Sequence, residues 1–167
     1  DAQVRESTIA TVCESASKDG TGLIRVITHG QGSSGFYPKE VLKRDGPKIF
    51  KQGIQMFWNH ATESMDTEMP EGDLNRQAGV LTGNAYWDES GPLGPGVYAP
   101  YKSFSEFTPR ITERAQYGAI GISWKGWGKR TYGQVAGKAT KIFQELVAAE
   151  SVDFVTLAGA GGGIAKA

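Results

Sequence analysis

The 167-residue sequence predicts a β-rich α+β domain, and three observations carry that expectation. Glycine is abundant, at 23 residues, and no heptad or long helical pattern competes with it. Short segments alternate apolar and polar residues at the period of a strand, separated by Gly- and Pro-containing turns. One stretch, about Ser105 to Tyr117, recurs every four residues and reads as the best helix of the chain. Together these describe a mostly antiparallel barrel or sandwich carrying two or more helices, with the topology left open.

The elements follow in order. Thr8–Cys13 and Leu23–Thr28 alternate as strands, with Gly20 and Gly22 as turn residues between them. A loop with Gly30, Gly32, Ser33, Ser34 and Gly35 leads to Pro38, which suits the first turn of a short helix over Lys39–Arg44. Ile54–His60 reads as a strand ending at the histidine, and the acidic stretch Ala61–Asp73, with Pro70 and Gly72, reads as loop. Gln77–Trp87 is expected as one long strand, and Asp88–Gly96 carries turn chemistry before a strand over Val97–Tyr101. In the helix near 105–117, Phe107, Ile111 and Ala115 share a face, Pro109 falls in the first turns, and Gly118 suits the C-terminal stop. Strands over Ala119–Lys125, Ile142–Ala148 and Val152–Leu157 complete the set. The expected organisation is one domain over residues 1–158, with a polar, frayed start, followed by a Gly/Ala-rich loop and tail over 159–167.

Composition narrows the classes of function. Eighteen basic residues balance eighteen acidic ones, so no electrostatic footprint of a nucleic-acid or anionic-membrane binder is visible. No apolar run approaches a membrane span, and no signal-peptide core opens the sequence. Cys13 is the single cysteine, which rules out an internal disulfide and suits a reducing cytoplasm. The histidines, His29 and His60, lie far from each other and from Cys13, so the ligand spacing of a zinc site is missing and neither metal nor cofactor is expected.

A serine hydroxyl is a poor nucleophile until an imidazole takes its proton, and a third polar group usually orients that imidazole. His60 closes an aromatic strand, a fixed backbone beside an open edge, whereas His29 sits in a glycine loop. Ser123 lies in Gly118-Ala119-Ile120-Gly121-Ile122-Ser123-Trp124. Alternation places Ile120, Ile122 and Trp124 on one face and Gly121 and Ser123 on the other, leaving an uncrowded serine face. By themselves these residues also fit ordinary structural roles. Ala158-Gly159-Ala160-Gly161-Gly162-Gly163 lacks the Lys-Ser/Thr ending of a phosphate loop and reads either as linker or as a row of accessible amides.

In order along the chain, however, the motifs resemble those of tailed-phage prohead (head maturation) proteases. Gly35-Phe36-Tyr37-Pro38 with Val41-Leu42, Met56-Phe57-Trp58-Asn59-His60-Ala61-Thr62-Glu63 and Pro70-Glu71-Gly72-Asp73 resemble the first half. Gly121-Ile122-Ser123 and Glu150-Ser151-Val152-Asp153-Phe154-Val155-Thr156, with the Ala/Gly loop, resemble the second. The resemblance spans roughly Ile24 to Gly163. It implies a serine endopeptidase with a barrel ringed by helices, similar to the herpesvirus assemblin proteases. It also implies action inside the immature capsid, in the host cytoplasm, on scaffold protein, major capsid protein and the enzyme itself. A homodimer is plausible by the same analogy.

Under that resemblance Ser123 takes the nucleophile's place and His60 the base's, 63 residues apart. The third member departs from the pattern: where relatives carry an acid or a second histidine, this sequence has Ser151, flanked by Glu150 and followed by Asp153. Alternation puts Ser151 and Asp153 on one face, favouring Asp153, with Glu150 as the alternative if a bulge at Ser151 flips the facing. Gly159 and Gly161 are the expected oxyanion-stabilising backbone positions. The departure keeps open a second reading, a catalytically incomplete capsid-assembly or scaffold module of the same fold. A third is an unrelated barrel whose Trp58, Trp87, Trp124 and Trp127 face a ligand.

Overall fold

The computed structural model describes residues 2–5, 10–12 and 19–156. It is α+β and strand-rich, built on one large mixed sheet. In chain order the elements begin with strands β1 (Ala2–Arg5), β2 (Ala10–Val12), β3 (Thr21–Ile27), β4 (Gly30–Gln31) and β5 (Phe36–Tyr37). Helix α1 (Lys39–Ile49), strand β6 (Gln55–Phe57), helix α2 (Glu63–Glu68) and a 3₁₀ turn (Leu74–Arg76) follow. Then come β7 (Gln77–Leu81), β8 (Tyr86–Asp88), β9 (Gly96–Ser103), helix α3 (Thr108–Gln116), β10 (Gly121–Val135) and β11 (Lys138–Val155).

Most neighbours are antiparallel. β10 pairs with β1, β2 and β11, and from β2 the order runs through β3, β9, β7 and β6 to β11. β5 and β6 join β11 in parallel, each through a single register pair. The expected barrel is not seen as a closed cylinder. β2 meets β10 through Gly121↔Thr11 and Ile122↔Ala10, and β6 meets β11 through Ser151↔Gln55, so both joins are short.

The core follows from the alternation. Ile120, Ile122 and Trp124 are buried, and Trp124 packs edge-on against Phe50 while its indole N–H donates to the Tyr37 hydroxyl at 3.2 Å. Tyr37 in turn stacks on Phe143. Helix α1 buries Val41, Leu42, Asp45, Gly46 and Ile49, a stripe at helical spacing that extends past the expected end at Arg44. Phe107, Ile111 and Ala115 are buried as the four-residue recurrence requires, although α3 itself starts only at Thr108, with Pro109 in its first turn.

Four expectations change. The long strand 77–87 is two strands: β7 pairs with Tyr101–Ser103 and β8 with Gly96–Tyr98, so the chain bends between them to travel along β9. Gly83 permits that bend, because a Cβ there would lie 2.9 Å from Pro100 Cγ. The strands expected over 119–125, 142–148 and 152–157 belong to one long hairpin, β10–β11, turned by Ala136 (φ 52°) and Gly137 (φ 81°). That pair of positive φ values is the signature of a two-residue type I′ turn, which Ala-Gly announces weakly. The acidic stretch 61–73 contains α2, whose Thr62 side chain caps it by accepting from the Met65 N–H at 3.1 Å. The strand expected to end at His60 stops at Phe57, and Trp58 makes an isolated parallel bridge to Phe154. The strand edges at Thr8, Ile9, Cys13 and Leu157, and the 159–167 loop and tail, lie outside the described residues.

Candidate active site

The site grows from one cross-strand pair. In the β10–β11 ladder Ser123 stands directly opposite Asp153, and Lys125 opposite Ser151, so all four occupy one face of the hairpin. The register breaks immediately afterwards: Lys125 pairs with Ser151 but Gly126 with Ala149, which leaves Glu150 unpaired in a bulge. The bulge lies beyond Ser151, so the alternation that aligns Ser151 with Asp153 is intact.

His60 arrives from the segment after β6, the strand that pairs with β11 along the edge away from β10. Its approach is fixed by backbone bonds: Trp58 N–H donates to Arg76 O at 2.7 Å and Asn59 N–H to Phe154 O at 2.8 Å. Asn59 sits at φ 74°, a left-handed conformation that asparagine tolerates better than most residues. Arg76 Nη1 donates to Asn59 O at 2.9 Å and closes the turn. The imidazole then spans the cross-strand pair, with Nε2 2.6 Å from Ser123 Oγ and Nδ1 2.5 Å from Asp153 Oδ2.

Asp153 is fully buried, and three donors meet its carboxylate. Phe57 N–H donates to Oδ1 at 3.1 Å, while the Ser151 hydroxyl, at 3.0 Å, and His60 Nδ1 share Oδ2. A carboxylate accepts and does not donate, so the proton of the His60–Asp153 bond belongs to Nδ1. Nε2 then presents its lone pair to the Ser123 hydroxyl, the arrangement in which an imidazole relieves a hydroxyl of its proton.

The structure thus brings together Ser123, His60 and Asp153, and it sets Glu150 elsewhere. Glu150 Oε2 lies 2.8 Å from the Lys125 ammonium, which also contacts both carboxylate oxygens of Asp66 at 2.9 and 2.8 Å. The serine face is not open as expected: Ser123 is 1% exposed, with the His60 side chain, 15% exposed, against it. Gly159 and Gly161 lie outside the described residues. Sequence reasoning missed Ser151 as a donor to Asp153, and missed Lys125 and Arg76 altogether. The signal for the first two was the two-residue spacing: Ser151 from Asp153, and Lys125 from Ser123. Arg76 left no such mark.

Two hollows flank the site. One, of about 170 Å³, runs under α2 and is lined by Phe57, Met65, Asp66, Lys125, Ser151 and Asp153 among others. The second, of about 200 Å³, lies at the start of β10 between Trp58, Asn59, Arg114, Ile120 and Phe154. The tryptophans do not gather around either: Trp124 is in the core, Trp58 and Trp87 pack against it, and Trp127 is partly exposed. No protein-family model matches the chain, and no curated protein or solved structure matches it either.

Proposed function

We propose that this chain is a serine endopeptidase of the prohead-protease type. The observation that carries the reading is the continuous hydrogen-bonded row from Ser123 through His60 to a buried, fully satisfied Asp153. In the proposed reaction His60 Nε2 takes the Ser123 proton as Oγ attacks a peptide carbonyl, then returns it to the departing amine. Water repeats the sequence on the acyl-enzyme and frees Ser123. Asp153 holds Nδ1–H and stabilises the imidazolium, and Ser151 and the Phe57 amide hold Asp153. Backbone amides of the loop containing Gly159 and Gly161 are the proposed oxyanion donors.

The rest of the reading leans on the motif resemblance. The substrates are scaffold protein, major capsid protein and the chain itself, encountered inside the immature capsid in the host cytoplasm, with a homodimer as the working assembly. A relation to the viral assemblin fold, though without a closed barrel, draws support from the order of pairing, which runs from β10 through β2, β3, β9, β7 and β6 to β11. The alternative of a catalytically incomplete assembly module drew its force from Ser151. A carboxylate one alternation further on, bonded to His60, supports the complete row instead.

The test is labelling by a fluorophosphonate together with self-cleavage. The wild-type chain is expected to gain one adduct, mapped to Ser123 by mass spectrometry, and Ser123→Ala to lose both adduct and cleavage with an unchanged circular dichroism spectrum. Continued cleavage by purified Ser123→Ala would overturn the assignment.

A further inference from the structure

A buried lysine shares the strand face of Ser123, Ser151 and Asp153. Lys125 is 2% exposed, and its ammonium is held by Asp66 and Glu150 at 2.8 to 2.9 Å. A lysine so buried requires charged partners, and these two come from different parts of the fold. Glu150 belongs to β11, which the ladder already joins to β10. Asp66 belongs to α2, the helix that starts just after His60, Ala61 and Thr62.

That helix needs an anchor. It has six residues, none of them buried, and a helix so short does not persist by itself. Among the described residues, its cap and Thr67 bonds are local, whereas Asp66 reaches back to β10. The two sides of His60 are therefore fastened differently. Upstream, Asn59 is held by a backbone bond to Phe154 and by Arg76. Downstream, the chain passes directly into α2 and its ionic tie to Lys125.

We propose that Lys125 is a positioning residue: by gripping Asp66 it pins α2 to the strand bearing Ser123 and so keeps the His60 ring in line between Ser123 and Asp153. Its kinetic consequence rests on the serine-peptidase reading; its structural consequence does not. The two carboxylates also take different parts. Asp66 transmits the tie to α2, whereas Glu150 only balances charge within strands already paired.

The experiment follows the low-field proton resonance of His60 Nδ1–H in the wild-type chain, Asp66→Asn, Glu150→Gln and Lys125→Met, without substrate, alongside turnover of a peptide substrate. Asp66→Asn and Lys125→Met are expected to broaden or abolish the resonance and to lower kcat by about 10²-fold, the scale of a slight misplacement of reacting groups. A misplaced His60 alone should leave KM within about threefold, since it weakens the transition state and not ground-state binding. Glu150→Gln should keep the resonance. In Asp66→Asn or Glu150→Gln the buried Lys125 keeps its other carboxylate, so neither variant strands its charge and both keep the test available if Lys125→Met does not fold. An unchanged resonance in Asp66→Asn, or equal loss in Glu150→Gln, overturns the proposal. Loss in Asp66→Asn from a chain that hydrolyses no peptide supports the tie and removes the peptidase reading instead.

Discussion

Replacing Asp153 by asparagine changes little in shape and much in proton placement. The Phe57 N–H needs an acceptor at the Oδ1 position, 3.1 Å away, so the amide oxygen of the new side chain is held there and its NH₂ falls where Oδ2 stood. That NH₂ would donate to His60 Nδ1, forcing the imidazole proton onto Nε2, where it cannot receive the Ser123 proton. The wrong tautomer costs about 10⁴ in kcat when it is enforced fully. A flipped amide would restore the productive tautomer, but it would leave the Phe57 N–H facing an NH₂. Such an unsatisfied buried donor costs about 1–3 kcal/mol, so the flipped form is about 5- to 160-fold disfavoured. The loss in kcat is therefore bounded: at least about 5- to 160-fold from the flip, and at most about 10⁴. The assay is steady-state hydrolysis of a fluorogenic peptide by wild type, Asp153→Asn and Glu150→Gln, with thermal melts in parallel. Glu150→Gln is expected to retain most activity. Activity of Asp153→Asn above about a fifth that of wild type, or a larger loss in Glu150→Gln, would refute the reasoning.

Two further predictions concern stability. Asp45 is buried on α1; burial pushes its carboxyl upward, but bonds from Arg44 and the Leu146 amide outweigh this and hold it below the usual carboxylate range. A depressed folded-state value contributes stability above the unfolded-state value of about 4 that is lost as pH falls through the folded value. Urea midpoints of wild type should thus drop from pH 6 to pH 3 by more than those of Asp45→Asn, and equal drops would remove Asp45 from the account. At the β10–β11 turn, Ala136 carries φ 52°, so Ala136→Asn is expected to stabilise the chain by about 0.5–1 kcal/mol, read as a higher melting temperature.

What could be read in the sequence was whatever alternation or helical recurrence carries. The buried faces of β10 and α3 follow from Ile120-Ile122-Trp124 and Phe107-Ile111-Ala115, because burial repeats at the period of the backbone. Helix α2 was hidden because none of its residues is buried, so it leaves no apolar stripe to find; Thr62 as a cap was its one local mark. The unity of β10 and β11 was hidden as well. Residues 129–141 are largely exposed on the projecting hairpin, so they lack the apolar alternation by which a strand is recognised. His60 could be nominated from its place after an aromatic strand, yet its orientation depends on Arg76 and Phe154, remote positions that no local pattern names.

The third member of the row shows why position in a motif is a weaker guide than position in a ladder. What a carboxylate behind His60 must satisfy is reach: it has to lie across from Ser123, within the span of one imidazole ring. In an antiparallel pair that condition selects the residue directly opposite the serine, which here is Asp153. Ser151 lies opposite Lys125, one alternation away, and there it serves Asp153 as a hydroxyl donor instead. Glu150 falls in the bulge and is drawn to Lys125, so the same irregularity that removes it from His60 gives the buried lysine its second partner. The serine at 151 is therefore not a gap in the row. Replacing it by an acid would set a second carboxylate against buried Asp153 and introduce like-charge repulsion where a donor now stands.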